Sequence, residues 1–340
     1  LKRNYFKDVI NVCLKLELDL FDPEAFFDLV DPNKNIIVAF SGGGDSSALL
    51  HFCYKLNLEK RFHSRFSAIH VNHSLNKNSD LWEDHCRKFC KDRNINFQSH
   101  VVDINPKKSG LESAARNARY SIFKTILKKN DQLLMAHHAD DVAETVLYRL
   151  LRGTGLDGLQ GPVKKRMLGK GTLLRPWLGY SKSQLFEYLS FQNIDFVTDN
   201  TNFEVNQDRN FIRNEVLKTT LNRWPNASTQ IQKTADLVAK HKLAHDYLIE
   251  RQFGENIKGS KLERKFLLDL DEEICIEIIR FWIKANNLAM PNKKIIGEIL
   301  KAFIFSNPSS KTRVNWSRAD NDQKSAFLTF SDGDLILNEK

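Results

Sequence analysis

Between residues 35 and 151, short apolar runs alternate with stretches of helical periodicity, and this alternation constrains the fold more than any other feature. The runs at 35–40, 66–72, 97–102 and 132–136 read as strands. Apolar residues at helical spacing predict helices over 46–56, about 81–92, about 111–128 and about 140–151. Strands and helices alternating at this spacing predict an α/β fold, a doubly wound parallel sheet with helices on both faces. The pattern loosens over 153–171, which is rich in glycine and basic residues and reads as a mobile loop. Ser181-x-x-Gln184 is a capping box that opens another helix. Residues 228–305 read as almost wholly helical, in segments ending near 252, spanning 269–286, and spanning 291–305 with Pro291 in the first turn. Residues 312–337 suggest short strands. The expected organisation is an α/β domain over 1–217 and a mainly helical domain over 218–340.

A length of 340 residues suits two domains, and a hydrophobic fraction of 41% is enough for real cores. No apolar stretch approaches the length of a membrane helix, and the N-terminal region lacks a signal-peptide core, so the expectation is a soluble, cytoplasmic protein. Five scattered cysteines without a CxxC read as reduced structural thiols, with Cys86 and Cys90 neighbours on one helix. Fifty-one basic against 42 acidic residues leave a charge of +9, which suits a polyanionic partner without identifying it.

The first strand runs straight into Ser41-Gly42-Gly43-Gly44-Asp45-Ser46 and then a helix. Glycines let backbone N–H groups approach phosphate oxygens, and a helix N-terminus adds its positive end. Hydroxyls of Ser41, Ser46 and Ser47 can donate as well. The string is neither GxxxxGK[ST] nor a correctly spaced GxGxxG. Asp45 would bring negative charge toward phosphates, which is tolerable with an intervening Mg²⁺; an acid favoured by the helix dipole is its simpler reading. A second cluster, His137-His138-x-Asp140-Asp141-x-x-Glu144, follows the fourth strand. On a helix, His137, Asp141 and Glu144 share a face, as do Asp140 and Glu144. Such a cluster fits either a transition-metal site or an acid-rich helix start. Its place at a strand's carboxyl end, like that of the glycine loop and of His70-Val71-Asn72-His73, points to one crevice.

The glycine string resembles the PP-loop of the N-type ATP pyrophosphatase superfamily, whose members adenylate an oxygen and release pyrophosphate. The string Ala136-His137-His138-x-Asp140-Asp141-x-x-Glu144-Thr145, followed by Arg149 and Arg152-Gly153-Thr154-Gly155-Leu156-x-Gly158-Leu159, is similar to the tRNA(Ile)-lysidine synthetase family. Further strings come in the family's order: His70 to His73, Glu112-x-x-Ala115-Arg116-x-x-Arg119-Tyr120, Arg175-Pro176, Asp199 to Asn202, and Arg209-Asn210-x-x-Arg213. Asn76 departs from the pattern, where a basic residue is usual.

The resemblance implies the partners ATP, L-lysine and a tRNA(Ile) with a CAU anticodon, and a homodimer. It implies that AMP is transferred to the C2 oxygen of the wobble cytidine and lysine's amine then displaces it. Ser41, Gly42, Gly43, Gly44, Asp45 and Ser46 would hold phosphates, while Ala39, His70 and Asn72 would line the nucleoside largely through backbone groups. Arg116 would neutralise the α-phosphate, and Asp45 would carry Mg²⁺. Asp141 and Glu144 would bind lysine's ammonium or accept its proton, with His137 as a second base. Arg149, Arg152, Arg175, Arg209, Asn210 and Arg213 would contact tRNA, joined by Lys164, Lys165, Arg166 and Lys170. Trp177 reads as either a base-stacking platform or a core residue. Lys240, Lys242, Arg251, Lys258, Lys261, Arg264 and Lys265 read as a further tRNA surface or as solvated helix faces. Competing readings are a PP-loop tRNA thiolation enzyme, a small-molecule ligase with the same loop, and an RNA-binding module without catalysis. The missing CxxC disfavours the first.

Overall fold

The computed structural model describes residues 20–74, 78–102, 111–198, 208–257, 259–317 and 324–340. The expectations attached to Asn76, to Asp199–Asn202 and to Lys258, and to the Cys13 thiol, lie outside the described residues, as does the side chain of Glu112. The chain divides into two compact units, 1–239 and 240–340.

In the first unit the apolar runs become β1 (Asn35–Ala39), β2 (Phe66–Asn72), β3 (Asn96–Val101) and β4 (Asp131–Leu134). They are joined by β5 (Lys165–Leu168) and β6 (Gly171–Leu174) in one sheet ordered β3-β2-β1-β4-β6-β5. All neighbours are parallel except β5, which runs antiparallel to β6 at the edge. The parallel crossovers are the helices Gly44–Leu58, Ser79–Asp92 and Leu111–Ile126. Because β1 lies between β2 and β4, the winding direction reverses there. Such a reversal leaves a crevice beyond the carboxyl ends of the two central strands.

Each face of the sheet has its own apolar layer. On one, Phe21, Phe52, Trp177 and Tyr188 pack with the Gly44–Leu58 and Lys182–Phe191 helices. On the other, Tyr120, Phe123 and Leu127 of the Leu111–Ile126 helix and its end cover Leu133, Met135 and Leu173. Trp177 is stacked on Phe21 at 4.3 Å and fully buried, so it is a core residue and not a base platform. The capping box forms as expected: Ser181 Oγ accepts from Gln184 N–H, and Gln184 Oε1 accepts from Ser181 N–H at 2.9 Å.

The 153–171 segment is not the continuous loop that its glycines suggest. It holds a short helix, Leu156–Leu159, and the edge strand β5. The hairpin from β5 to β6 turns through Gly169 and Lys170, with Gly169 at φ +58°. A Cβ at Gly169 would lie 2.3 Å from Lys124 O, so the hairpin seats against the end of the Leu111–Ile126 helix only with glycine there. Its exposed Lys165 and half-buried Arg166 hid this edge strand within a basic composition.

The second unit packs the helix Glu272–Ala285 against Lys293–Ile299, a π-helical turn at Leu300–Ile304 and an antiparallel sheet. That sheet comprises β7 (Lys261–Glu263), β8 (Arg313–Trp316), β9 (Ala326–Ser331) and β10 (Asp334–Glu339), ordered β7-β10-β9-β8. Pro291 is not in the first turn as expected but precedes the helix cap: Asn292 is the cap, its Oδ1 accepting from Ile295 N–H at 2.9 Å. Two of the unit's expected tRNA-facing cations are engaged internally. Lys242 is buried against Asp246 and Glu277, and Arg264 donates to the carbonyls of Phe303, Ile304 and Ser306. The expected boundary at 217/218 differs from the division at 239/240, which falls within the continuous helix Ala227–Phe253. Helical periodicity reports a helix but not which core its successive turns join. Among the described residues no helix is long and apolar enough to cross a membrane.

Candidate active site

The loop after β1 is built from its own side chains. Gly42 takes φ +83°, a conformation that a side chain disfavours. Ser46 Oγ donates to Gly43 O at 3.0 Å and accepts from Ser41 N–H at 3.2 Å, while Ser47 Oγ donates to Gly42 O at 3.2 Å. These bonds fold the loop back over the start of the Gly44–Leu58 helix. Gly43 is the cap residue and supplies no side-chain acceptor, which leaves the helix N-terminus as a cradle for an anion. Gly44 is demanded by packing: a Cβ there would meet Phe186 Cζ at 2.8 Å.

The strand end beside the loop is tied down by His70. Its Nδ1–H donates to Phe40 O at 2.9 Å, and burial holds its pKa below the usual histidine range, so the ring is neutral. Asn72 is buried and its side chain is spoken for: Nδ2 donates to Asp80 and Glu83, and Oδ1 accepts from Ser74 N–H. Ala39 lies beside them in the β1–β2 ladder, paired with Ile69.

Across the switch point, β4 leads into His137, His138 and the helix Ala139–Leu151. His138 is 3% exposed and lies among three carboxylates. Its Nε2 is 3.6 Å from Asp45 Oδ2 and 3.5 Å from Asp141 Oδ2, and its Nδ1 is 3.8 Å from Asp140 Oδ2. Burial alone would lower its pKa, but the carboxylates of Asp141, Asp45 and Asp140 outweigh that and raise it to about 9. The ring is therefore an imidazolium at neutral pH, joining the phosphate loop to the acidic helix start. Asp141 is the converse: burial opposes its ionisation, yet His138, His137 and the His138 N–H, donated at 3.0 Å, hold it well below the usual carboxylate range. Asp140 turns the other way, accepting from Lys182 N–H at 2.9 Å, and so fixes the start of the Lys182–Phe191 helix.

Glu144, one turn further on, is 2% exposed. Both of its oxygens accept from Arg213, at 2.6 and 2.8 Å, and Arg209 Nε lies 3.6 Å from Oε2. Burial opposes the Arg213 charge, but this bidentate pairing holds its pKa above the ordinary arginine value. Arg213 comes from a π-helical turn, Ile212–Leu217, which follows the short helix Asp208–Phe211 carrying Arg209 and Asn210. Arg209 also reaches Thr145 Oγ1 at 3.5 Å. Two expected RNA-facing arginines thus complete the acidic site from within.

His137 and Arg175 meet each other. Arg175 is 3% exposed and donates from Nε to His137 Nδ1 at 3.1 Å, from Nη1 to Val163 O, and from Nη2 to Tyr120 Oη. Burial lowers the His137 pKa to about 3. With Nδ1 accepting from Arg175, its proton sits on Nε2 and no ring lone pair is free. The geometry therefore does not offer the second base expected of His137, nor does a buried Arg175 offer a direct RNA contact. Arg149 folds back to Gly158 O at 3.0 Å, and Arg152 lies over the Tyr148 ring and contacts its hydroxyl, both at the far end of the Ala139–Leu151 helix. Arg116 lies over Tyr120. His138 is the member that residue-type reasoning left without a role. Its signal was position: it caps the helix directly at a strand's carboxyl end.

Asp45 fits a magnesium ion. Its Oδ1 is buried without a hydrogen-bond partner, and a single hard carboxylate suits a cation that takes its other ligands from water and phosphate. Among the described residues no group of three or more His, Cys, Asp or Glu is placed to hold a metal by itself, which removes the transition-metal reading. The thiols of Cys53, Cys86, Cys90 and Cys275 are all buried, and burial pushes their pKa values up, to about 11 for Cys275 and about 12 for Cys90. None resembles a reactive thiolate.

A PP-loop domain family model matches residues 18–220. The tRNA(Ile)-lysidine synthase of Coxiella burnetii is 38% identical over 297 residues, covering 85% of this chain and 66% of that protein. The tRNA(Ile)-lysidine synthase of Buchnera aphidicola is 32% identical over 332 residues, covering 90% of this chain and 76% of that protein. The chain thus spans just under two thirds of the length of the Coxiella relative. Among solved structures, a U34-tRNA thiolase from Methanococcus maripaludis with a [4Fe-4S] cluster is similar at a TM-score of 0.52 and 16% identity. It covers 64% of this chain and 77% of that one, a likeness of fold alone. The switch-point crevice, the glycine loop and these relatives together place the chain in the PP-loop family and, within it, in the tRNA(Ile)-lysidine synthase family.

Proposed function

We propose that the chain catalyses ATP-dependent formation of lysidine at the wobble cytidine of a CAU-anticodon tRNA(Ile), in the cytoplasm and as a homodimer. The observation that carries this reading is the His138 bridge, which brings the phosphate loop and the acidic helix start to one point. A cytosine C2 oxygen is a poor leaving group. Transfer of AMP from ATP to that oxygen releases pyrophosphate; attack of lysine's ε-amine on C2 then breaks the C2–O bond, releases AMP and loses the amine proton.

In this reading Ser41, Gly42, Gly43, Gly44 and Ser46 hold the β- and γ-phosphates through loop amides and hydroxyls, and Ala39, His70 and Asn72 shape the adenosine side. Arg116, expected at the α-phosphate, instead stands over Tyr120 with Arg166 and is given no contact with ATP. Asp45 is the residue that would hold Mg²⁺, which supplies charge neutralisation to the pyrophosphate. Asp141, ionised and anchored by His138, receives lysine's ammonium; a carboxylate with so low a pKa is a weak base, so its part is binding and orientation. Glu144 acts through Arg213, keeping that cation beside Asp141.

The thiolation alternative has no support in these buried, high-pKa cysteines. Incubating the protein with ATP, labelled lysine and tRNA(Ile) transcripts that differ only at the wobble base tests the proposal. Label in the CAU transcript alone, with one AMP per lysine, is expected; ATP consumption without incorporated lysine would overturn it.

A further inference from the structure

Away from the phosphate loop, three arginines gather on one buried tyrosine. Arg116 Cζ lies 5.0 Å and Arg166 Cζ 5.1 Å from the centre of the Tyr120 ring, while Arg175 Nη2 donates to its hydroxyl at 3.3 Å. No described carboxylate pairs with any of the three. Like charges brought this close repel, and the neighbouring guanidiniums of Arg166 and Arg116 add to the burial that lowers the Arg175 pKa. The arrangement is nonetheless built in. Gly169 and Gly171 let the β5–β6 hairpin press on the Leu111–Ile126 helix, which fixes Arg166 over Tyr120. A preorganised group of guanidiniums on an aromatic ring, with no carboxylate paired to it among the described residues, is a receptor for a phosphate oxyanion.

From this geometry we infer that Arg116 and Arg166, seated on Tyr120 above the buried Arg175, form a phosphodiester subsite that grips the RNA backbone beside the reacting nucleotide. Position decides against a second grip on ATP. The nucleotide loop follows β1, whereas Arg166 stands on β5, three strands away in the sheet, or about 14 Å at ordinary strand spacing. That distance suits a separate phosphate better than the triphosphate already held at the loop. Arg175 ties the subsite to the crevice through His137, so the held strand would lie beside the reaction centre. The inference rests on the RNA substrate proposed above.

Arg166 is half-buried on an edge strand, which makes Arg166→Ala and the charge-retaining Arg166→Lys suitable variants. Each is titrated with the tRNA(Ile) transcript, with a short single-stranded RNA and with ATP. Arg166→Ala is expected to weaken both RNAs about tenfold and to lower the log–log salt slope by about one, with ATP affinity held within about twofold. Arg166→Lys should recover most of the loss. A neutral methylphosphonate at the linkages flanking the wobble nucleotide should cost the wild type the same factor and Arg166→Ala nothing more. Unchanged RNA affinity in both variants, or a loss confined to ATP, would overturn the subsite. If lysine is incorporated normally while the variants bind RNA like wild type, the subsite fails and the lysidine reading stands. If no lysine is incorporated but Arg166→Ala still loses RNA affinity, the subsite stands and the substrate reading fails.

Discussion

At the scale of single residues, the site is governed by which charges are buried together. Glu144 is almost fully buried and has both oxygens on Arg213, 69 positions later in the chain. Removing one member of such a pair strands the other, and that cost exceeds the net worth of the intact pair. Glu144→Gln should destabilise the protein by about 2–3 kcal/mol in urea unfolding, toward the low end because the Arg213 side chain keeps 31% exposure. A change within about 0.5 kcal/mol would show that Arg213 is satisfied elsewhere. The pairing also alters what a charge reversal at Arg209 and Arg213 would report. A carboxylate at 213 would face Glu144, so the loss would begin in the fold before any RNA contact was tested. None of this is visible in the spacing Arg209-Asn210-x-x-Arg213, which reads equally well as an exposed basic patch.

At the scale of elements, the phosphate loop depends on a helix that is distant in sequence. Gly44 opens the Gly44–Leu58 helix directly beneath Phe186 and Leu189 of the Lys182–Phe191 helix. A glycine in this string is expected for anion approach; at Gly44 the tighter demand is packing. Gly44→Ala forces Phe186 aside, and overpacking of that kind costs about 1–3 kcal/mol. The expected result is a lower denaturation midpoint together with weaker ATP binding, and the double variant Gly44→Ala, Phe186→Leu should recover much of both. If the double variant is no better than the single one, the demand for glycine comes from the ligand side. Element existence over 35–151 was readable because strands covered on both faces give short continuous apolar runs, which stand out between stretches of helical period. The β5–β6 hairpin was not readable, since strands of four residues are too short to show periodicity and β5, at the sheet edge, opens on Lys165 and Arg166.

At the scale of the whole molecule, the His138 cluster couples stability to pH. His138 has a folded pKa of about 9, above the ordinary 6.5, so its contribution is full below pH 6.5 and is lost as pH rises through 9. Asp141 is depressed, so its contribution is present above about pH 4 and is lost on acidification. Stability should therefore fall between pH 6.5 and pH 9 by up to on the order of 3 kcal/mol, as judged from urea midpoints. His138→Gln should flatten that alkaline limb; an unchanged limb would place the titration elsewhere.

The sequence by itself determined the parallel α/β class, the anion-binding loop and the cluster after the fourth strand, because these depend on local periodicity and on residues contiguous in the chain. Only the tertiary structure decided how they act. The strand order puts the β1 and β4 ends side by side, and that adjacency is what turns His138 into a buried cation between Asp45 and Asp141. It likewise converts Arg175 and Arg213 from expected RNA contacts into internal partners of His137 and Glu144. Charge in a sequence is a count. Whether it meets water, a ligand or an opposite charge is set by burial, which belongs to the fold.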